Sequence, residues 1–337
     1  MHLIELEIIR YKLYSNIIYL LKKYLDKYLK IKEIKHLLLR YILNRNIFTK
    51  NNNNIGDSLF IVLKNDNKIA DKQLEDDFKY FKIYDTSLFN TVNNVIINSI
   101  QEAANYIKNL NIKKIYTDNC FYIFQKNKIQ YFQYESDNLN NIYDNYITIK
   151  KNKIIIPYYS YINYKLYNIS YIFCTLFRYK YIFIDTHSSA LNYNFNNHFN
   201  IDKNNCIECF STPFNHHHHN NFCSAFPDLE LSLGSLGNFF SINKFNSKNL
   251  LINPPFDNTI IYYAIKHILD IMKIDKYNVI FTLPDWSDAE YYNLLYNSPY
   301  FKKVIHYKQN ELEFTNFFTN MHYSPCANIQ IYLSNII

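Results

Sequence analysis

In the second half of the chain, short continuous apolar runs flank a helical repeat, which predicts a strand–helix–strand unit. Asn249-Leu250-Leu251-Ile252 has the length and composition of a buried strand. From Thr259 to Met272, apolar residues Ile260, Ile261, Ala264, Ile265, Ile268, Leu269 and Met272 recur at helical spacing. Asp257 stands where an N-cap carboxylate belongs. Val279-Ile280-Phe281-Thr282-Leu283 reads as a second buried strand. Asn253-Pro254-Pro255-Phe256 therefore falls at the carboxyl end of the first strand, where open α/β sheets bind ligands.

The first half is patterned differently. Met1 to Ile47 predicts two helices carrying Lys22, Lys23, Lys27, Lys30, Lys32, Lys35, Arg40 and Arg45. Asn51 to Asn54 is a low-complexity break, a further helix is expected from about Asn90 to Leu110, and Phe121 to Tyr134 alternates like a hairpin. A boundary is expected near Pro157, followed by a helical pattern over Tyr161 to Arg178 and a strand at Tyr181-Ile182-Phe183-Ile184-Asp185. The organisation expected is a mainly helical domain over residues 1–157 and an α/β core over residues 158–337.

The Asn-Pro-Pro-Phe tetrapeptide suits methylation of an aromatic amine. An adenine N6 amine is planar and its lone pair is delocalised, so it is a poor nucleophile. Acceptors at the Asn253 side-chain oxygen and the Pro254 carbonyl would hold its two hydrogens and favour rehybridisation toward a methyl donor. Pro254 and Pro255 stiffen the loop and remove competing backbone donors. Phe256 offers a face for a splayed-out base, a contact worth about 1–3 kcal/mol. No base is needed before attack, and positioning supplies most of the acceleration. The competing reading is a strand-ending Pro-Pro turn with a core phenylalanine.

Around this motif the chain resembles the phosphorylated-CTD-interacting-factor family of cap-specific adenosine N6-methyltransferases (CAPAM). The matching stretches are Glu208-Cys209-Phe210-Ser211-Thr212-Pro213-Phe214-Asn215, Phe222-Cys223-Ser224-Ala225-Phe226-Pro227-Asp228, Leu233-Gly234-Ser235-Leu236-Gly237, Asn253-Pro254-Pro255-Phe256, Leu283-Pro284-Asp285-Trp286 and Met321-His322-Tyr323, in the family's order. They span about Cys206 to Asn335. The resemblance implies a Rossmann-like methyltransferase core that uses S-adenosyl-L-methionine, with a capped mRNA 5′ end as substrate. The methyl group would go to N6 of the adenosine next to the 7-methylguanosine cap. Some members carry a WW domain that docks on polymerase. No WW pattern is visible here and the sole tryptophan is Trp286, so polymerase tethering is not expected.

With 3 Gly in all, an ordinary glycine-rich donor loop is impossible. Ile207-Glu208-Cys209-Phe210 is instead placed as the first strand of the core, with Ser211-Thr212-Pro213-Phe214-Asn215 as a small-residue substitute loop, which the resemblance supports. Glu208, Phe210, Ser211, Pro213 and Asn215 are then candidate donor-binding residues, and Asp228 a candidate for donor hydroxyls. Asn258 lies close enough to the motif to join them, and Glu311 and Glu313 fall in a segment that matches the family near cofactor or substrate. A solvated surface charge is the other reading of each carboxylate. Gly234 and Gly237 mark a tight turn, serving either nucleotide approach or the turn alone. Trp286 is placed beside the acceptor pocket if the two strands are parallel neighbours.

Cys206, Cys209, His216 to His219 and Cys223 have zinc-like spacing. Cys209 falls inside the donor strand and the histidines lie in an Asn/His low-complexity run, so no metal is expected. The 34 Tyr and 26 Phe, with abundant Asn, Lys and Ile, have the look of AT-rich codon bias and carry little weight for base stacking. The net charge of +7 suits a phosphate-bearing partner. Arg40 and Arg45 are the candidate cap-phosphate contacts, because a guanidinium binds phosphate in a bidentate way; a solvated helical face is the alternative. Scattered cysteines, a charged N-terminal run and the lack of a long apolar stretch point to the nucleus or another intracellular compartment and away from a membrane. Two functions compete with cap methylation: N6-methylation of adenine in DNA or uncapped RNA, and a non-catalytic RNA-binding subunit.

Overall fold

The computed structural model describes residues 3–47, 57–62, 68–110, 121–126, 129–135, 148–150, 153–158, 168–183, 191–193, 205–216, 221–312, 314–316, 322–323 and 326–336. The chain forms two compact units, residues 1–45, 55–159 and 163–187 in the first and 46–54, 160–162 and 188–337 in the second. Among the described residues no helix is long and apolar enough to cross a membrane.

In the first unit, α1 (Leu3–Leu25) and α2 (Ile31–Arg45) are the two helices expected from the sequence, followed by α3 (Lys68–Tyr80) and α4 (Thr86–Asn109). Asp85 caps α4 by accepting from the Leu88 N–H at 2.9 Å. The strands β1 (Phe121–Lys126), β2 (Ile129–Glu135), β3 (Thr148–Lys150) and β4 (Lys153–Tyr158) make an antiparallel sheet in the order β1-β2-β4-β3, its first pair being the expected hairpin.

Helix α5 (Ile169–Phe183) also belongs to this unit, so the division expected at 157–158 falls inside it. The expectation of a strand at 181–185 is corrected: Tyr181, Ile182 and Phe183 are the last turn of α5, and 184–185 lie outside the described residues. A buried charge cluster ties α5 to α1. The Glu7 carboxylate, 0% exposed, accepts from Arg178 Nε at 2.8 Å, from the Tyr181 hydroxyl at 2.8 Å and from Arg10 Nη1 at 3.1 Å. Each charge is thus met by a partner, the condition under which burial of charge is tolerated.

The second unit is mixed α/β. Its elements in chain order are β5 (Leu191–Tyr193), β6 (Cys206–Glu208), β7 (Asn221–Phe222), α6 (Pro227–Glu230), β8 (Asn249–Ile252), α7 (Asn258–Met272), β9 (Asn278–Pro284), α8 (Glu290–Tyr296), β10 (Phe301–Tyr307), β11 (Phe314–Asn316), β12 (His322–Tyr323) and β13 (Asn328–Ser334). Six strands form one sheet in the order β10-β13-β9-β8-β6-β7; β5, β11 and β12 form a small antiparallel one. Strands β7, β6, β8 and β9 are parallel, whereas β13 runs antiparallel to both β9 and β10.

The strand–helix–strand unit forms as the pattern predicts. Ile260, Ile261, Ala264, Ile265, Ile268 and Met272 of α7 are buried, and each isoleucine or methionine side chain contributes about 1.5–3 kcal/mol when fully buried. From β6 the chain passes to β7 on one side, then crosses back to β8 on the other. The strand order therefore reverses at the β6–β8 boundary, and a crevice outside the carboxyl ends of these two strands is where such sheets take ligands.

Candidate active site

Two loops leave the sheet at that reversal. The first follows β8. Asn253 is half-buried, Pro254 is buried, and Pro255 and Phe256 are half-buried. The loop is fixed to the helix behind it, since the Asp257 N–H donates to the Pro255 carbonyl at 2.7 Å. Asp257 Oδ1 accepts from the Ile260 N–H at 3.0 Å, the expected N-cap, worth typically about 1 kcal/mol. Among the described residues, neither the Asn253 carboxamide nor the Pro254 carbonyl makes a hydrogen bond. Both acceptors proposed for the amine are therefore uncommitted.

Phe256 sits beside two other aromatics. Its ring centroid lies 6.4 Å from that of Trp286, at 74°, and 5.9 Å from that of Phe314, at 90°. β8 and β9 are parallel neighbours, the condition the sequence set for bringing Trp286 to this edge, and Trp286 is half-buried. Residues that the sequence did not single out as functional fix the loop bearing Trp286. The Asp285 N–H donates to the Ala327 carbonyl at 3.0 Å, and its carboxylate accepts from the Tyr292 hydroxyl at 2.8 Å and lies 3.0 Å from His306 Nδ1. The Tyr291 hydroxyl donates to the Pro284 carbonyl at 2.8 Å, and burial pushes its pKa up. Only the tertiary fold brings Tyr292 and His306 to one carboxylate, so no spacing signals it.

The second loop follows β6 and is closed on itself. Asn215 Oδ1 accepts from the Ser211 hydroxyl at 2.9 Å and from the Thr212 N–H at 2.7 Å. The Ser211 N–H donates to the Cys223 carbonyl, the Phe214 N–H to Thr212 Oγ1, and the Asn215 and His216 N–H groups to the Thr212 carbonyl. Ser211, Pro213 and Asn215 are buried. Glu208 is half-buried, with Oε2 3.5 Å from the Ser211 hydroxyl, and Phe210 packs on Phe239 and Phe240 with centroids at 4.8 and 5.8 Å. Asp228 is half-buried at the start of α6, just past β7.

Gly234 and Gly237 have φ of 92° and 100°, where a side chain would be strained. Gly234 ends a 3-10 turn, and the Gly237 carbonyl accepts from the Ser224 N–H at 2.9 Å. The pair shapes the turn that wraps the end of β7. Cys206, Cys209 and Cys223 are buried, and burial, then the neighbouring Cys223 thiol, pushes the Cys209 thiol well up. Among the described residues no three His, Cys, Asp or Glu side chains gather in a metal-holding group. His216 Nδ1 lies 3.0 Å from the Thr212 carbonyl oxygen and its ring stacks on Phe222; His217 to His219 lie outside the described residues.

The remaining candidates are dispersed. Asn258 is exposed on the first turn of α7. Glu311 is exposed and accepts from the Lys308 N–H at 2.7 Å, closing a turn; Glu313 lies outside the described residues. Arg45 is 3% exposed, donates from Nε to the Ile61 carbonyl at 2.8 Å and stacks on Tyr41. Arg40 pairs with Asp77. In the first unit both guanidiniums are spent on the protein itself, Arg45 wholly inside it, so neither is presented as a phosphate clamp.

The sequence model of the family described as phosphorylated CTD interacting factor 1 WW domain matches residues 158–316. The match spans both loops and Trp286, begins well before Cys206 and stops short of His322-Tyr323. Its description names a WW domain, which counts against the expectation that none is present.

Proposed function

The chain belongs to the phosphorylated CTD interacting factor 1 family over residues 158–316, and from that premise we propose that it is a methyltransferase with a Rossmann-like core. In this proposal it uses S-adenosyl-L-methionine to methylate N6 of the adenosine next to the 7-methylguanosine cap of mRNA. One observation carries the reading: two acceptors, on Asn253 and Pro254, uncommitted among the described residues, at the strand reversal beside the half-buried rings of Phe256 and Trp286. The parallel strands β6, β8 and β9, with a reversal between β6 and β8, support the Rossmann-like assignment.

S-adenosyl-L-methionine supplies an electrophilic methyl group when bound. The residues after β6 fit it in a particular way. The amide N–H groups of Ser211, Thr212, Phe214, Asn215 and His216 are consumed within the protein, so the holding groups are the carboxylates of Glu208 and Asp228 and the Phe210 ring. Asp228 lies past the end of β7, the next strand along, where nucleotide-binding α/β folds carry a carboxylate for ribose hydroxyls about 20 residues after the first loop. Asn253 and Pro254 accept the two amine hydrogens and turn the nitrogen lone pair out of conjugation. Phe256 and Trp286 hold the base flat, and the amine's proton leaves to water once nitrogen has become cationic.

The test is transfer of labelled methyl to a capped, adenosine-initiated oligonucleotide. Product on the capped strand and little on uncapped RNA or DNA is expected; equal transfer to all three would leave adenine N6-methylation without cap specificity. Trp286 is the sole tryptophan, so its fluorescence should be quenched saturably by the capped strand. A second reading, a non-catalytic RNA-binding member, is favoured by the self-satisfied loop after β6. Donor binding by calorimetry separates the two.

A further inference from the structure

The corner where α1 meets α2 carries a feature that the methyl-transfer site does not use. Between Tyr19 and Lys35 lie six lysines and two carboxylates, a net +4 out of the chain's formal +7. Lys22, Lys23, Lys27, Lys30 and Lys32 are all exposed. Among them stand three exposed rings, Tyr19, Tyr24 and Tyr28, at 59%, 41% and 52% exposure. Tyrosine is abundant throughout this chain, but burial separates two groups on the same segment: Tyr11 and Tyr14 point into the core at 4% and 1%, whereas these three do not.

The corner is a shaped surface. The Tyr28 and Leu29 N–H groups both donate to the Leu25 carbonyl, at 2.9 and 2.8 Å, and the buried Leu25 and Leu29 anchor the turn. Glu33 accepts from the Lys30 N–H at 2.6 Å, fixing the start of α2. Lys23 Nζ lies 4.7 Å from the Tyr19 ring centroid, so cation and ring already share one face.

Concentrated positive charge interleaved with exposed rings is the chemistry of single-stranded nucleic acid, whose phosphates meet ammonium groups while unpaired bases stack on aromatic faces. We infer that the α1–α2 corner is a docking surface for the single-stranded RNA body of the substrate, contacting its phosphates and bases without reading sequence. Its relevance to the substrate rests on the RNA reading proposed above. The surface itself is testable apart from catalysis.

The experiment is fluorescence anisotropy of a labelled, uncapped, unstructured RNA oligonucleotide with the full chain across a salt series. Each lysine that meets a phosphate adds about 0.7 to the slope of log affinity against log salt. The combined variant Lys23→Gln, Lys27→Gln, Lys30→Gln should therefore flatten the slope by about 2. Tyr24→Ala with Tyr28→Ala should weaken binding by about fivefold or more, and the corresponding phenylalanine pair should retain it. Lys266→Gln, exposed on the other unit, should change nothing.

An unchanged slope in the lysine variant, or unchanged affinity in the tyrosine-to-alanine pair, overturns the inference. So does an equal loss in Lys266→Gln, which would mean diffuse charge, or duplex RNA bound as tightly as the single strand. Methyl transfer to a minimal capped acceptor should survive all these variants. RNA binding that the variants leave unchanged, with transfer intact, thus sinks the corner alone, and absent transfer with corner-dependent binding intact sinks the catalytic reading alone.

Discussion

The loops after β8 and β6 leave the same sheet at the same reversal, yet they treat their polar groups in opposite ways. Asn215 turns its carboxamide oxygen inward and takes two hydrogen bonds from its own loop. Asn253 gives its carboxamide to nothing among the described residues. Both are asparagines in short loops that contain proline and phenylalanine, so composition does not separate them. The difference lies in what each asparagine satisfies. A buried donor left without an acceptor costs about 1–3 kcal/mol, so Asn215 is needed for the loop to exist. The half-buried Asn253 stays available to an incoming amine.

The contrast is most exposed to failure at Asn253. Asn253→Ala should cut methyl transfer by about 10²–10³, the loss of about 2.7–4 kcal/mol typical of one transition-state hydrogen bond, with donor affinity within a few-fold and unfolding unchanged. Retention of more than about a third of wild-type turnover would put the loop outside the chemistry. Asn215→Ala should do the reverse, lowering stability by about 1–3 kcal/mol in urea unfolding and taking donor affinity down with it. Were stability unchanged while donor affinity alone fell, Asn215 would be a ligand and the two loops would be alike.

Phe256→Ala should weaken the acceptor by about 1–3 kcal/mol in oligonucleotide titrations. Phe256→Tyr should bind as wild type, and an equal loss in both would assign the ring to packing against Trp286 and Phe314. The smallest effect is expected at Asp257→Ala, which removes the α7 cap for about 1 kcal/mol of stability. Its turnover should change less than that of Asn253→Ala, because the loop's two prolines hold its shape.

The β8–α7–β9 unit was readable because three independent signals coincide: two apolar runs, a 3.6-residue period and a capping aspartate. Helix α5 was read as helical over residues 169–178, but its last turn defeated the same reading. Ile172, Phe173, Leu176, Phe177, Tyr181 and Ile182 are all buried, as are Thr175 and Arg178 between them, while Lys180 is half-buried. A helix buried on every side loses its polar stripe, and its apolar C-terminal turn then resembles a strand. Helix α3 failed to register for the opposite reason, being rich in charge.

At the site, the tetrapeptide, its place at the strand end and its neighbour Trp286 were legible. The fates of Arg40 and Arg45 were not. A basic residue on a helix reads as solvated or phosphate-binding, and only the fold reveals that Asp77 meets one and the Ile61 carbonyl the other. Asp285, Tyr292 and His306 were invisible in the same way, since their meeting depends on how α8 and β10 fold back on the loop after β9.

The antiparallel strand β13 has a consequence for the order in which the protein can be made. It lies between β9 and β10, pairing with both, and it is the last strand of the sheet to be synthesised. Until residues 328–334 have left the ribosome, β9 has a bare hydrogen-bonding edge and β10 has no neighbour in the sheet. The Trp286 loop also lacks its bond from the Asp285 N–H to the Ala327 carbonyl for that interval. A nascent chain therefore presents an unpaired apolar edge, the kind of surface that chaperones cover and neighbouring chains add to. The aromatic side of the pocket can set only after β13 has emerged and paired.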